Sequence, residues 1–438
     1  MDLVHSSQQH QRLDVAAPVP ASSTQVEHQA SIFGWHALRL CEGRVESRWN
    51  HALRRASERA TPTLRLNLDA SLVWKNGEHC SQLDGVRGLA ILMVTLYRFV
   101  KHVDPESHVL LSIAHRFAPI GERGVDLFFV LSGFLITGIL LQTKSKAGYF
   151  RNFFIRRSLR IFPLYFTALA FCLWLVPALM LHSDFDLPRS QQGYLWTYLT
   201  NIRMAWLNAW CFGPLDHFWS LAVEEHFYLV WPCIVFCLSP KYLLRLSVAL
   251  ILLVGVARTI AATQPAFDLA TDVLTIFRFD GLCFGAALAI LMHQGISPQR
   301  VESIAKWTLP VMIILALIVA AFGKSLLGLP NSLCPALWTV LLGVLLTRTS
   351  GHWLSRLLNN HALRWLGKYS YGMYVVQLPL LSLMTPNIVM DGLATFMASR
   401  LWINIAFVTI MFSLTAALGF LTYHLLEKHF LQLKQRWA

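Results

Sequence analysis

Four groups of ionisable residues stand inside or at the edge of apolar stretches, where a charge costs a few kcal/mol or more unless it meets a partner, a cavity or water. One runs His217-Phe218-Trp219-Ser220-Leu221-Ala222-Val223-Glu224-Glu225-His226-Phe227-Tyr228. At helical spacing His217, Ser220 and Glu224 share a face. A carboxylate near an imidazole in a poorly hydrated site can exchange protons with a hydroxyl, whereas a structural polar knot needs no such access. A second group begins at Leu83-Asp84-Gly85-Val86-Arg87-Gly88 and continues to Arg98 and His102. Arg87 and Arg98 are eleven residues apart, so on an ideal helix they differ by about 20° around the axis and about 16 Å along it. Such a stripe could line a polar path through a membrane. Alternatively, Asp84 and Arg87 pair at the inner interface while Arg98 and His102 snorkel to the outer one.

The third group is Arg151, Arg156, Arg157 and Arg160, leading into Ile161-Phe162-Pro163. Clustered guanidiniums suit phosphate through charge-assisted bidentate bonds, although basic residues at this position would also set topology. The fourth is Asp126, a single acid in the run Gly124-Val125-Asp126-Leu127-Phe128-Phe129-Val130-Leu131-Ser132-Gly133-Phe134. Ser132 and Gly133 permit close helix contact, and Asp126 either serves a site or is hydrated near the outer boundary.

The elements that must position these residues follow from composition. The chain has 438 residues, of which 55% are hydrophobic and 14% charged, too apolar for an ordinary soluble domain. About ten stretches have the length of about 18 to 23 residues that crosses a hydrocarbon core as helix, beginning near Val86, Val125, Ile161, Leu221, Leu246, Val273, Trp307, Leu333, Tyr369 and Leu401. The expectation is an all-α integral membrane protein, one bundle of about ten transmembrane helices in the inner (plasma) membrane. The net charge of +13 requires no nucleic acid. With the N-terminus inside, Lys144 to Arg160, Lys241 and Arg245, Arg300 and Lys306, Arg348 to Lys368, and Lys428 to Arg436 fall in cytoplasmic segments, and both termini are cytoplasmic.

Residues 1–80 read as a polar, partly disordered cytoplasmic extension without a signal-peptide pattern, and 431–438 as a short basic tail. Within the extension, Ile32, Phe33, Trp35, Leu38 and Leu40 precede Arg44, Arg48, Arg54, Arg55 and Arg59, which could rest on anionic headgroups. The eight cysteines lack metal-ligand spacing and read as packing residues, so no metal site is expected.

Taken in order, Leu83 to Gly88, Phe128 to Phe134, the arginines before Pro163, Trp219-Ser220-Leu221 with Glu224, Arg278-Phe279-Asp280-Gly281-Leu282 with Gly285, Leu366-Gly367-Lys368-Tyr369-Ser370-Tyr371, and Tyr423 with Glu427-Lys428 resemble the acyltransferase 3 family over residues 81–430. The resemblance implies a ten-span fold that moves an acyl group from a donor, commonly acyl-coenzyme A, to a hydroxyl of a cell-envelope carbohydrate or glycolipid. Asp84 and Arg87 would open the first span, Arg156, Arg157 and Arg160 would face the donor phosphates, and Glu224 would sit in a reaction centre shaped by Trp219 and Ser220. Two positions depart from the family pattern, which usually has histidine where this chain has Arg98 and commonly has another where it has Gln377. Arginine stays protonated, so Arg98 cannot take the acceptor's proton and could at most stabilise an oxyanion or bind an anion. His102, His217 and His226 are the imidazoles in reach.

The candidate set is therefore Glu224, Arg87, Asp84, Arg98 and His102 for catalysis, and Arg156, Arg157, Arg160, His217, Trp219, Ser220, Asp126 and Arg278 for substrate. The expected partners are the bilayer, an acyl donor as co-substrate and a saccharide, with no permanently bound cofactor and the oligomeric state left open. Two other readings remain: a relative that binds donor or glycan without transferring, motivated by Arg98 and Gln377, and a transporter of acyl groups or lipid-linked sugars.

Overall fold

The computed structural model describes residues 81–179, 183–322, 329–347 and 353–433. The expectations for residues 1–80 and for the tail beyond residue 433 lie outside the described residues. Among the described residues the chain is helical, with no strand. The long helices are α1 Ser81–Val100, α2 Gly124–Thr143, α3 Tyr149–Ala170, α4 Trp219–Cys237, α5 Pro240–Ala261, α6 Thr275–His293, α7 Pro298–Phe322, α8 Leu329–Thr347, α9 His361–Leu383 and α10 Arg400–Thr422.

Local chemistry explains several boundaries. Proline at the first position opens α5, where a missing amide hydrogen costs nothing. Asn360 caps α9 by accepting from the Ala362 amide. Met384 and Thr385 break α9 from the short helix Pro386–Ala394, which leaves at 65°.

By length and composition, six helical segments among the described residues can cross a membrane, and α9 with the bent helix after it makes a seventh. These segments contain α2, α3, α4, α5, α6 and α10, and the chain is a multi-pass membrane protein. Helix α1 is less apolar because Asp84, Arg87 and Arg98 all lie within its twenty residues.

Association of apolar helices in lipid depends on close packing, and two helix pairs here touch backbone to backbone. A Cβ added to Gly88 of α1 would fall 1.8 Å from the Leu363 carbonyl oxygen, and one added to Gly367 of α9 would fall 1.8 Å from that of Asp84. Helices α2 and α6 meet in the same way, with Gly133 against the Leu282 carbonyl and Gly285 against that of Val130, each 1.9 Å from an added Cβ. The glycines in Asp84-Gly85-Val86-Arg87-Gly88 and Ser132-Gly133 are thus there for helix contact.

A buried ion pair links α5, α6 and α8. Arg258, 1% exposed, meets Asp280 at 2.7 Å, and Ser332 donates to the other Asp280 oxygen at 3.0 Å. Arg258 also donates to Ser332 at 2.9 Å and to the Phe277 carbonyl. Trp231 of α4 donates to Thr137 of α2 at 2.8 Å, closing the bundle on the other side of α6.

These contacts predict that Gly133→Val, which cannot fit without separating α2 from α6, destabilises the bundle by about 3 kcal/mol, the upper range for overpacking a close-packed site. Gly193, which has open space around it, should accept alanine with little effect. Thermal denaturation of both variants in one detergent checks the contrast.

Candidate functional site

Helices α1, α2, α3, α4 and α9 surround a cavity of about 110 Å³. Its wall is mixed. Val125, Phe128, Phe129, Leu131, Leu135, Ile136, Ile161 and Leu221 supply apolar surface, while Arg87, Arg157, Arg160, Glu224, Glu225, Ser132, Ser220, Ser370, Tyr228, Tyr371 and Tyr374 supply polar groups.

The carboxylate of Glu224 is held by its own helix. Tyr228 stands four residues on, hence on the same face, and donates its hydroxyl to Glu224 Oε2 at 2.6 Å. The same hydroxyl lies 2.6 Å from Ser132 Oγ on α2, so Glu224, Tyr228 and Ser132 form a chain across two helices. Glu225 also lines the cavity, and its buried Oε1 has no hydrogen-bond partner. On the wall formed by α9, the Tyr374 hydroxyl lies 2.5 Å from Ser220 Oγ and donates to the His217 carbonyl at 3.0 Å.

Arginine side chains crowd one end. Arg157 sits 5.7 Å from the Tyr228 ring and 5.9 Å from that of Phe153, so aromatic faces offset part of its burial. Arg160 lines the cavity one turn further along α3. Arg87 reaches in from α1 while bonded to Asp84 at 3.0 Å. Among the described residues no ion pair is formed by Arg157 or Arg160. Three guanidiniums and two carboxylates thus share one cavity, with the Asp84 carboxylate paired to Arg87 outside its wall.

The remaining sequence-predicted residues fall elsewhere. Arg156 and Asp84 are not part of the cavity wall, although Asp84 holds Arg87. Asp126, 1% exposed, is not hydrated at a boundary: it pairs with Arg278, and Arg123 approaches it at 3.6 Å. The Arg278 guanidinium packs beside the edge-to-face pair of Phe129 and Trp219, 5.5 and 5.6 Å from their rings. Asp126, Arg278 and Trp219 therefore form one buried unit behind the cavity.

Beyond Ser220 and Tyr374 lies a further polar layer. His217 is fully buried; its Nε2 lies 3.3 Å from the Val375 carbonyl, and its Nδ1 has no partner. Thr95 of α1 donates to Gln377 of α9 at 3.4 Å, a weak contact, and Gln377 Nε2 has no partner. Arg98 and His102 follow at the end of α1. Burial, with the Lys101 and Arg98 cations beside it, pushes the His102 pKa below the ordinary imidazole value, so this ring is neutral at neutral pH.

Sequence reasoning placed Glu224, Ser220, Arg87, Arg157 and Arg160 among candidates, and the fold brings them to one cavity. It did not select Tyr228, Tyr374 or Glu225. The helical spacing of Glu224 and Tyr228 would have found the first. Tyr374 becomes visible only when α9 packs against the 213–218 turn.

The profile of the acyltransferase 3 family, described as an acyltransferase domain, matches residues 81–424. The peptidoglycan O-acetyltransferase OatA of Listeria monocytogenes is 28% identical over 341 residues, covering 70% of this chain and 50% of the relative. The putative peptidoglycan O-acetyltransferase YrhL of Bacillus subtilis is 29% identical over 327 residues, 69% of this chain and 49% of the relative. A putative O-acetyltransferase of Staphylococcus aureus strain COL is 25% identical over 382 residues, with 82% and 58% covered. The chain spans about half the length of the first two of these relatives. No solved structure matches it.

Removing one partner from a buried ion pair strands the other charge, so Asp126→Asn should cost about 3–5 kcal/mol. Asp84→Asn removes a partly hydrated partner and should cost less than about 1 kcal/mol. Denaturation midpoints of the two variants relative to the intact chain measure the difference.

Proposed function

Because the chain belongs to the acyltransferase 3 family, we propose that it is a membrane O-acyltransferase that moves an acyl group from an acyl-coenzyme A donor to a hydroxyl of a cell-envelope carbohydrate. The observation that carries this reading is the convergence of Arg87, Arg157 and Arg160 with Glu224 on one apolar-walled cavity. The names of the relatives make peptidoglycan the first acceptor to test. The proposed topology has ten spans in the inner membrane with both termini cytoplasmic, which puts the amino-terminal ends of α1 and α3, and hence the arginines, toward the cytoplasmic donor.

The chemistry divides among the named groups. The donor's phosphates bind Arg157 and Arg160, and its acyl group lies against the apolar surface formed by Phe128, Leu131 and Ile161. Glu224, oriented by Tyr228 and Ser132, takes the proton of the acceptor hydroxyl as its oxygen attacks the thioester carbonyl. The carbonyl becomes an oxyanion, for which Arg87 offers fixed positive charge. Attack forms the ester C–O bond, collapse restores the carbonyl and breaks the C–S bond, and the proton held by Glu224 passes to the departing thiolate. The cavity volume of about 110 Å³ suits a short acyl group.

The test uses the purified intact chain in lipid nanodiscs with radiolabelled acetyl-coenzyme A and peptidoglycan saccharides. Glu224→Gln should lower kcat by at least about 100-fold, the usual contribution of a general base. Arg157→Met should chiefly raise the donor KM. Transfer by Glu224→Gln at the intact rate would remove Glu224 from the mechanism. Saccharide flux into sealed vesicles without ester formation would replace transfer by transport.

A further inference from the structure

The polar layer beyond Tyr374 holds two buried hydrogen-bond donors without partners, besides the unpartnered His217 Nδ1. Gln377 is fully buried, and its Nε2 faces no acceptor. Arg98 Nε is buried without a partner as well, and among the described residues the Arg98 guanidinium meets the Tyr97 ring at 5.4 Å but forms neither an ion pair nor a hydrogen bond. A buried donor left unmade costs about 1–3 kcal/mol, more for a charged group, so two together in one layer call for a ligand that accepts.

The two residues belong to neighbouring turns of the α1–α9 contact. Thr95, whose hydroxyl touches Gln377, lies one turn before Arg98 on the same side of α1. Tyr374 lies one turn before Gln377 on α9, and Arg98 stands within electrostatic range of Tyr374, His217 and Asp216. Asp216 does not neutralise Arg98 by contact: its carboxylate accepts the Phe212 amide at 2.8 Å, and no ion pair joins it to Arg98. Tyr374 connects the layer to the cavity: it lines the cavity, and its hydroxyl bonds to the His217 carbonyl. Along α1, Arg98 is about 16 Å from Arg87, far enough for a second substrate to occupy this end.

We propose that Arg98 and Gln377 bind an anionic oxygen group, a carboxylate or a phosphate, carried by the saccharide acceptor. The inference rests on the carbohydrate-acceptor reading above and specifies it: the acceptor is a charged saccharide, held by its anion so that its hydroxyl points toward Glu224. A guanidinium matches either anion bidentately, and the Gln377 amide adds a neutral donor. Gln377 keeps its donor at any pH, unlike an imidazole.

The experiment measures saccharide binding to the intact chain in nanodiscs with no acyl donor present. The probes are methyl glucuronide, glucose-1-phosphate and neutral methyl glucoside. At least one anionic probe should bind about tenfold or more tightly than methyl glucoside, and the tighter of the two identifies the anion. Arg98→Met should reduce that preference to below about twofold, Gln377→Leu should weaken it, and Arg98→Lys should restore part of it. The lysine variant also guards against misreading a folding defect as a binding loss. Equal affinity for charged and neutral probes, or an unchanged preference in a folded Arg98→Met chain, overturns the proposal. Anion preference without any acyl transfer would preserve the site and reject the transferase reading. Transfer without anion preference would do the reverse.

Discussion

A guanidinium inside a bundle of apolar helices must meet an anion, an aromatic face or a ligand, and the way each arginine meets that demand organises this protein. Arg258 meets Asp280 and Ser332, which ties α5, α6 and α8 together. Arg278 meets Asp126 and packs beside the rings of Phe129 and Trp219, which fixes α2 against α6 and against the start of α4. These pairs are structural. Their burial makes them costly to break, and none of their charged members lines the cavity.

The cavity arginines are balanced differently. Arg157 has aromatic faces beside it, Arg87 shares Asp84, and Arg160 has no ion pair among the described residues. Two of these cations therefore have no ion-pair partner in a partly apolar enclosure, a condition suited to holding phosphate groups but poor for stability alone. Opposite these cations, Glu224 is restrained by Tyr228 and Ser132, so its position is set before any substrate arrives. Such preorganisation is what a proton acceptor requires, because the hydroxyl must meet it at hydrogen-bond distance in the reacting geometry.

Close helix contact makes this arrangement possible. Gly88 and Gly367 allow the backbones of α1 and α9 to touch, which brings Arg87 near the α4 carboxylates and places Thr95 against Gln377. Gly133 and Gly285 do the same for α2 and α6, next to Ser132. Residues that look like parts of one chemical motif therefore have two duties: the charged members face the cavity or their partners, and the glycines let the helices approach.

By itself the sequence determined the helical membrane class, the family resemblance, and the presence of Glu224 and the arginines in places where charge is expensive, because hydropathy, spacing and residue type are local properties. Helical period also puts Ser220 and Glu224 on one face. Tertiary structure alone decided which charges are already paired. Asp126 and Arg278 are 152 residues apart and Ser132 and Tyr228 are 96 apart, separations across which no local pattern carries information. The same limit hid Tyr374 and the contact of Thr95 with Gln377, since these depend on which face of α9 the glycines press against α1.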